Sequence, residues 1–196
     1  NTCIDASLPW EQWIRRFCTG YEEAERQGQE IGLDVFFGYE SCYQGTEFLI
    51  YGVDKKWLLS HPQIKDATIK EQYHMIHEAG GMVIHAHPFR KAGYIPEIRL
   101  FPGDVDGVEG INATHSSHLS TGHIDPEFDR QAIEYAKEHK LLMTAGSDVH
   151  TVRLLGGGMA FKRKLHSIED FCRAVLTGED YLLTNGDAWF NKMGEP

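Results

Sequence analysis

The chain has 196 residues, 19 Lys and Arg against 29 Asp and Glu, and a formal net charge of −10 with histidine neutral. At about 150 residues per domain this length predicts one domain spanning 1–196, and 41% hydrophobic with 24% charged residues is too apolar for disorder. The acidic balance argues against a basic groove that tracks extended nucleic acid, and no apolar run reaches the roughly 20 residues of a bilayer span.

Trp10, Trp13, Ile14, Phe17, Tyr21 and Ala24 recur at three- and four-residue spacing, which predicts one helix with Pro9 at its entry and Gly32 as its stop. Asp34-Val35-Phe36-Phe37, closed by Gly38, predicts a strand, and Phe48-Leu49-Ile50-Tyr51 a second. Ile69, Tyr73, Ile76 and Ala79 define a helix that ends at Gly80-Gly81, followed by the strand Met82-Val83-Ile84. Another strand is expected from Val105 to Ile111. Asp125-Pro126 then opens a helix whose buried face is Phe128, Ala132, Tyr135 and Ala136. Leu141-Leu142-Met143 follows as a strand, Ser167-x-x-Asp170 caps a helix carrying Phe171, Val175 and Leu176, and Tyr181-Leu182-Leu183 is the last strand. Alternating helices and short, continuously apolar strands predict an α/β domain with a parallel sheet buried on both faces, closed into a barrel. No G-x-G-x-x-G or Walker loop follows any strand. Cys3, Cys18, Cys42 and Cys172 lack C-x-x-C spacing, so a reduced, cytoplasmic chain without a disulfide framework is expected; no basic-then-apolar leader opens the sequence.

Ligand-type residues stand just after these strands. Gly38-Tyr39-Glu40 follows the first, His85-Ala86-His87-Pro88-Phe89-Arg90 follows Met82-Val83-Ile84, and Gly146-Ser147-Asp148-Val149-His150 follows Leu141-Leu142-Met143. The C-terminal strand ends of an α/β barrel converge on one rim, so Glu40, His87, Asp148 and His150 are expected to meet. Two imidazoles and two carboxylates suit Mn²⁺, Zn²⁺ or Fe²⁺ better than an oxygen-only site. In an extended chain, residues two apart share a side, which would pair Asp148 with His150 and His85 with His87. Pro88 would hold His87 in an extended backbone.

These three runs, in this order, resemble the PHP superfamily, the metal-dependent phosphoesterases named for polymerase and histidinol phosphatase. The similarity extends from about Gly20 to the end of the last helix. The resemblance implies a distorted seven-stranded β/α barrel holding two or three divalent ions (Mn, Zn or Fe). In it Glu40 bridges ions, His87 is the ligand of the H-P motif, and Asp148 and His150 are the ligands of the final motif. It also implies a metal-bridging hydroxide attacking a small phosphomonoester, of a metabolite or a nucleotide. The family's opening H-x-H and D-H motifs are missing, so one or two β/α units of roughly 30 residues are expected upstream. A histidine common in the family is replaced by Glu47, which can ligate as an oxygen donor or simply face solvent at a strand start.

Taken singly, each candidate has a plainer reading: a solvated carboxylate for Glu40, a packed rim imidazole for His87, turn chemistry for Asp148 and His150. Arg90 is placed to grip a phosphate bidentately or to form a surface ion pair, and Arg153 is a weaker candidate of the same kind. His85 is a substrate contact or a packing residue. His115, His118 and His123 fall in a polar segment that reads as a solvated loop or substrate rim. Two further functions stay open: a PHP-like scaffold with a degenerate metal site, and an amidohydrolase-type barrel that would use His85-x-His87 as its opening motif.

Overall fold

The structure is a computed structural model, which describes residues 4–152 and 156–196. The first predicted helix is two, α1 (Trp10–Phe17) and α2 (Thr19–Ile31). At their junction the Thr19 hydroxyl donates to the Arg15 carbonyl at 3.1 Å, a competing bond that bends helices, and Gly20 adds backbone freedom. Gly32 ends α2 in the left-handed region at φ 74°, as expected of a glycine stop. The strand expected at Asp34–Phe37 does not form. Phe37 is buried instead among Ile14, Cys18, Leu58 and Ile64, so packing takes its side chain and pairing begins only at Gly38.

From there β1 (Gly38–Tyr43) and β2 (Thr46–Tyr51) make an antiparallel hairpin. Gln44 and Gly45 both take positive φ, 52° and 86°, the requirement of a two-residue turn whose twist matches the strands. So short a connection forces antiparallel pairing. After α3 (Lys55–Ser60), a 3₁₀ turn (Pro62–Asp66) and α4 (Ile69–Glu78), β3 (Met82–His85) pairs antiparallel with β2. Among the described residues parallel pairing is confined to β3 with β4 (Gly107–Asn112) and β4 with β5 (Leu142–Gly146). Between β4 and β5 run the one-turn α5 (Ala113–Ser116) and α6 (Pro126–His139), whose cap Asp125 accepts from Glu127 N–H at 3.1 Å.

The remainder forms a separate antiparallel sheet of β6 (Gly157–Phe161), β7 (Tyr181–Asn185) and β8 (Trp189–Asn191), with α7 (Ile168–Leu176) between β6 and β7. The expected seven-stranded barrel is therefore corrected: the described strands form a five-stranded mixed sheet, β1-β2-β3-β4-β5, and a three-stranded sheet, β6-β7-β8. The two pack together where the Tyr181 hydroxyl donates to the Met143 carbonyl at 2.9 Å and Ser147 Oγ to the Gly157 carbonyl at 2.8 Å. Among the described residues no helix is long and apolar enough to cross a membrane.

Candidate metal centre

One face of the five-stranded sheet supplies the site. In the β1–β2 register Glu40 stands opposite Leu49 and Cys42 opposite Glu47, so both glutamates lie on the same face, on adjacent strands. The ladder continues as Leu49 opposite Ile84 and Ile84 beside Gly107, which puts Glu109, two residues on, on that face too. The register of β4 then shifts between Glu109 and Ile111. The inserted Gly110 turns Ile111 into the core and brings Asn112 round to the face of Glu109, where its Nδ2 donates to Glu109 Oε2 at 2.9 Å. Gly146 opposite Asn112 makes the approach possible: a Cβ there would stand 2.8 Å from Glu109 Oε1.

His87 joins this group by leaving the extended conformation. Its φ is +29°, unusual for a non-glycine residue, and its N–H donates to Glu109 Oε2 at 3.2 Å. The expectation that Pro88 keeps His87 extended is corrected, and with it the sharing of a side by His85 and His87. His85, still in β3, pairs with Phe48 on the opposite face, stacked on it with ring centroids 4.9 Å apart. It is a core residue, its pKa pushed down to about 3 by burial and the neighbouring His87, and it is absent from the lining of the cavity that Glu40, Glu47 and His87 share with Asp148.

The donor atoms that result are closely set. His87 Nε2 lies 3.6 Å from Glu40 Oε1 and 3.4 Å from Glu47 Oε2, and one donor atom from each of the three lies within 4.8 Å of the others. Donors bound at 2.0–2.2 Å around one tetrahedral cation are about 3.4 Å apart, so the set fits a borderline divalent ion. The cluster lines a cavity of about 370 Å³ together with Arg90, Tyr94, Thr114, His123, Asp148 and His150. The uncompensated charge is visible in the protonation equilibria. Burial and then the repulsion of Glu40 push Glu47 up. For His87 burial works downward, but Glu40, Glu109 and Asp148 outweigh it and the imidazole is raised. Glu109 is raised by complete burial.

Asp148 faces the same cavity across from the cluster. Its Oδ2 accepts from Arg90 Nη2 and, at 3.3 Å, from Asn112 Nδ2. Burial would raise its pKa, but Arg90 overrides this and holds the carboxyl below its ordinary value. Asp148 has φ +48°, so the extended Asp148-x-His150 arrangement is also corrected. The His150 side chain is 80% exposed, and its Nδ1 folds back to the Asp148 carbonyl at 3.0 Å. It lines the mouth of the cavity rather than closing on the glutamates. Arg153 lies outside the described residues.

Several residues of the site were not singled out in the sequence. Glu109 and Asn112 sit in an apolar strand, and Gly110, a glycine inside a strand pattern, was the available signal for the bulge. The three histidines of the polar segment separate: His123 lines the cavity, His118 is exposed and paired with Asp187, and His115 is buried.

Residues 126–179 match a family described as PHP-associated. No curated protein matches the chain. Among solved structures it is similar to a two-domain protein from Bacteroides vulgatus ATCC 8482 containing a predicted PHP-like metal-dependent phosphoesterase, at 13% identity and a TM-score of 0.47 over 86% of this chain. It spans 43% of that protein's length. It is similar as well to an inferred metal-dependent phosphoesterase from Bifidobacterium adolescentis ATCC 15703, at 17% identity and a TM-score of 0.47 over 81% of each chain. The family match over residues 126–179 covers 54 of the 196 residues, from α6 to just past α7.

Proposed function

We propose that this chain carries the site of a metal-dependent phosphoesterase that hydrolyses a small phosphomonoester of a metabolite or nucleotide. The observation that carries this reading is the spacing of Glu40, Glu47 and His87, set as ligands of one cation in a cavity that also holds a buried arginine. Asp148 supplies a second acidic edge: Oδ2 accepts from Arg90 and Asn112 and Oδ1 lies 3.3 Å from His150 Nδ1, so Asp148 and His150 together would hold further ions, two or three divalent ions (Mn, Zn or Fe) in all. Such ions supply Lewis acidity and a water acidic enough to attack phosphorus. The protein's own part is to hold the donors in place, to neutralise phosphoryl oxygens through Arg90, and to keep the donors in a confined cavity.

The test is metal analysis of the purified protein by inductively coupled plasma, beside Mn²⁺-dependent turnover of a generic aryl phosphate. Wild type should bind metal and turn over, and His87→Ala and Glu40→Gln should lose metal and at least roughly a hundredfold in rate. A protein with neither metal nor turnover would reject the enzyme. The exposure of His150 favours one second reading, a PHP-like scaffold with a degenerate site; metal uptake without turnover is its signature.

A further inference from the structure

Arg90 is the one arginine among the described residues that line this cavity, and its surroundings are more constrained than a phosphate grip alone requires. Its side chain is 3% exposed. One edge of the guanidinium is tied through Nη2 to Asp148. The Nε–H edge donates to His115 Nε2 at 3.0 Å. Because Arg90 has only donors to offer, His115 must present a lone pair at Nε2 and carry its proton at Nδ1. That proton points at Asp129 Oδ1, 2.7 Å away. Asp129 is itself fixed: Oδ1 also accepts from Asn112 N–H at 3.2 Å, and Oδ2 from Ser116 Oγ at 2.7 Å. His115 is held edge-on to Phe128, with ring centroids 5.2 Å apart. Burial and the charge of Arg90 keep this imidazole neutral against the pull of Asp129.

We propose that His115 and Asp129 are positioning residues that lock the Arg90 guanidinium plane so that its remaining Nη1 edge faces the cavity as an oxyanion receptor. The geometry carries this. A planar group fixed at two of its three nitrogens has one orientation; Nη1 is the nitrogen held by neither Asp148 nor His115, and Tyr94, which lines the same cavity, stands beside the guanidinium. Anchoring by Asp148 alone would leave the guanidinium free to swing about Nη2 and to claim both oxygens of a carboxylate that the metal reading needs. The relay Asp129–His115–Arg90 opposes that swing. It crosses from α6 through α5 to the loop after β3, so it also sets how far α6 stands from the site. The inference rests on the phosphoester reading for the identity of its ligand, an oxyanion of phosphate type, but the placement of Arg90 is independent of turnover.

The experiment uses the Mn²⁺-loaded protein and inorganic phosphate as the probe. Calorimetry measures phosphate affinity, aryl phosphate turnover gives KM and kcat, and ¹⁵N spectroscopy follows the Arg90 Nε–H resonance. Wild type should show a slowly exchanging Nε–H signal. His115→Phe should lose it and bind phosphate roughly ten- to a hundredfold more weakly, the scale of one hydrogen bond to a charged group. KM should rise with little change in kcat, and metal content should stay level. Asp129→Asn allows an amide N–H toward Nδ1, favours the wrong tautomer, and should reproduce the defect. His115→Gln returns an acceptor to the Nε2 position and should recover most of the affinity. Unchanged phosphate affinity and Nε–H protection in a folded His115→Phe protein would overturn the proposal, as would failure of the glutamine variant to improve on phenylalanine. Wild type that binds phosphate through a protected Arg90 yet never turns over would sink the enzymatic reading and leave this one standing.

Discussion

His87 and Asp170 show how differently a single residue reports in sequence and in space. His87 was legible as a ligand because it stands between an apolar strand and Pro88, yet the backbone turn that aims it, φ +29°, was not. A non-glycine residue in that region is held there by its partners, and the Glu109 carboxylate on its N–H is one that local sequence does not reveal. Asp170 is the opposite case. Its place in Ser167-x-x-Asp170 marked a helix start, and Ser167 Oγ does accept its N–H at 3.2 Å, but the carboxylate has a larger task. It receives both Nη atoms of Arg163 at 2.8 Å, Arg173 Nη2 at 2.5 Å and the His166 N–H at 3.0 Å. Arg163 first, then the His166 N–H, hold it well below the usual carboxylate range. A folded pKa below the unfolded value near 3.9 means that the stability it contributes is present above that pH and is lost as pH falls through the folded value. Asp170→Asn should therefore lower Tm at neutral pH, and the gap to wild type should close as the pH is taken below about 4. A gap that stays constant in thermal melts down to pH 2 would show that the charge of Asp170 does not stabilise the fold.

Among the elements, those with a long apolar period and a chemical stop were the readable ones. The helices from Ile69 and Pro126 and the strands at Met82, Leu142 and Tyr181 all form near where periodicity and caps put them. α4 is closed at its start by a reciprocal pair: Thr68 Oγ1 accepts from Glu71 N–H at 3.3 Å, and Glu71 Oε2 accepts from Thr68 N–H at 2.7 Å. Thr68→Ala should cost about 1 kcal/mol in urea unfolding, with the slope unchanged. A change under a few tenths would mean that α4 is held by its packing against β3 alone. Strands β6 and β8 were invisible, since Gly157-Gly158 and a three-residue segment give no period to read. The hairpin was misread for another reason. Its β1 alternates exposed and half-buried residues, and the apolar run just before it is drawn into the cluster under α1.

On the scale of the molecule, the acidic balance and the site belong together. Glu40, Glu47 and Asp148 crowd one cavity with Glu109 buried behind it, and among the described residues Arg90 and raised His87 are what offsets them, so divalent ions should stabilise the whole fold. Mn²⁺ at a hundred times its dissociation constant should add about 2.7 kcal/mol, and a chelator should reverse it. A Tm indifferent to Mn²⁺ and to chelation would mean that the cluster holds no ion. By itself the sequence determined the α/β character, most of the long helices and buried strands, and which side chains have the chemistry to bind metal, because these follow from local periodicity and residue type. Only the tertiary structure decided that the sheet is mixed rather than a closed parallel barrel, that His85 turns into the core while His87 turns out, and that Glu47 rather than His150 completes the cluster. Those outcomes depend on register, a two-residue turn, a single-residue bulge and two left-handed backbone positions, each fixed by contacts between residues far apart in the chain.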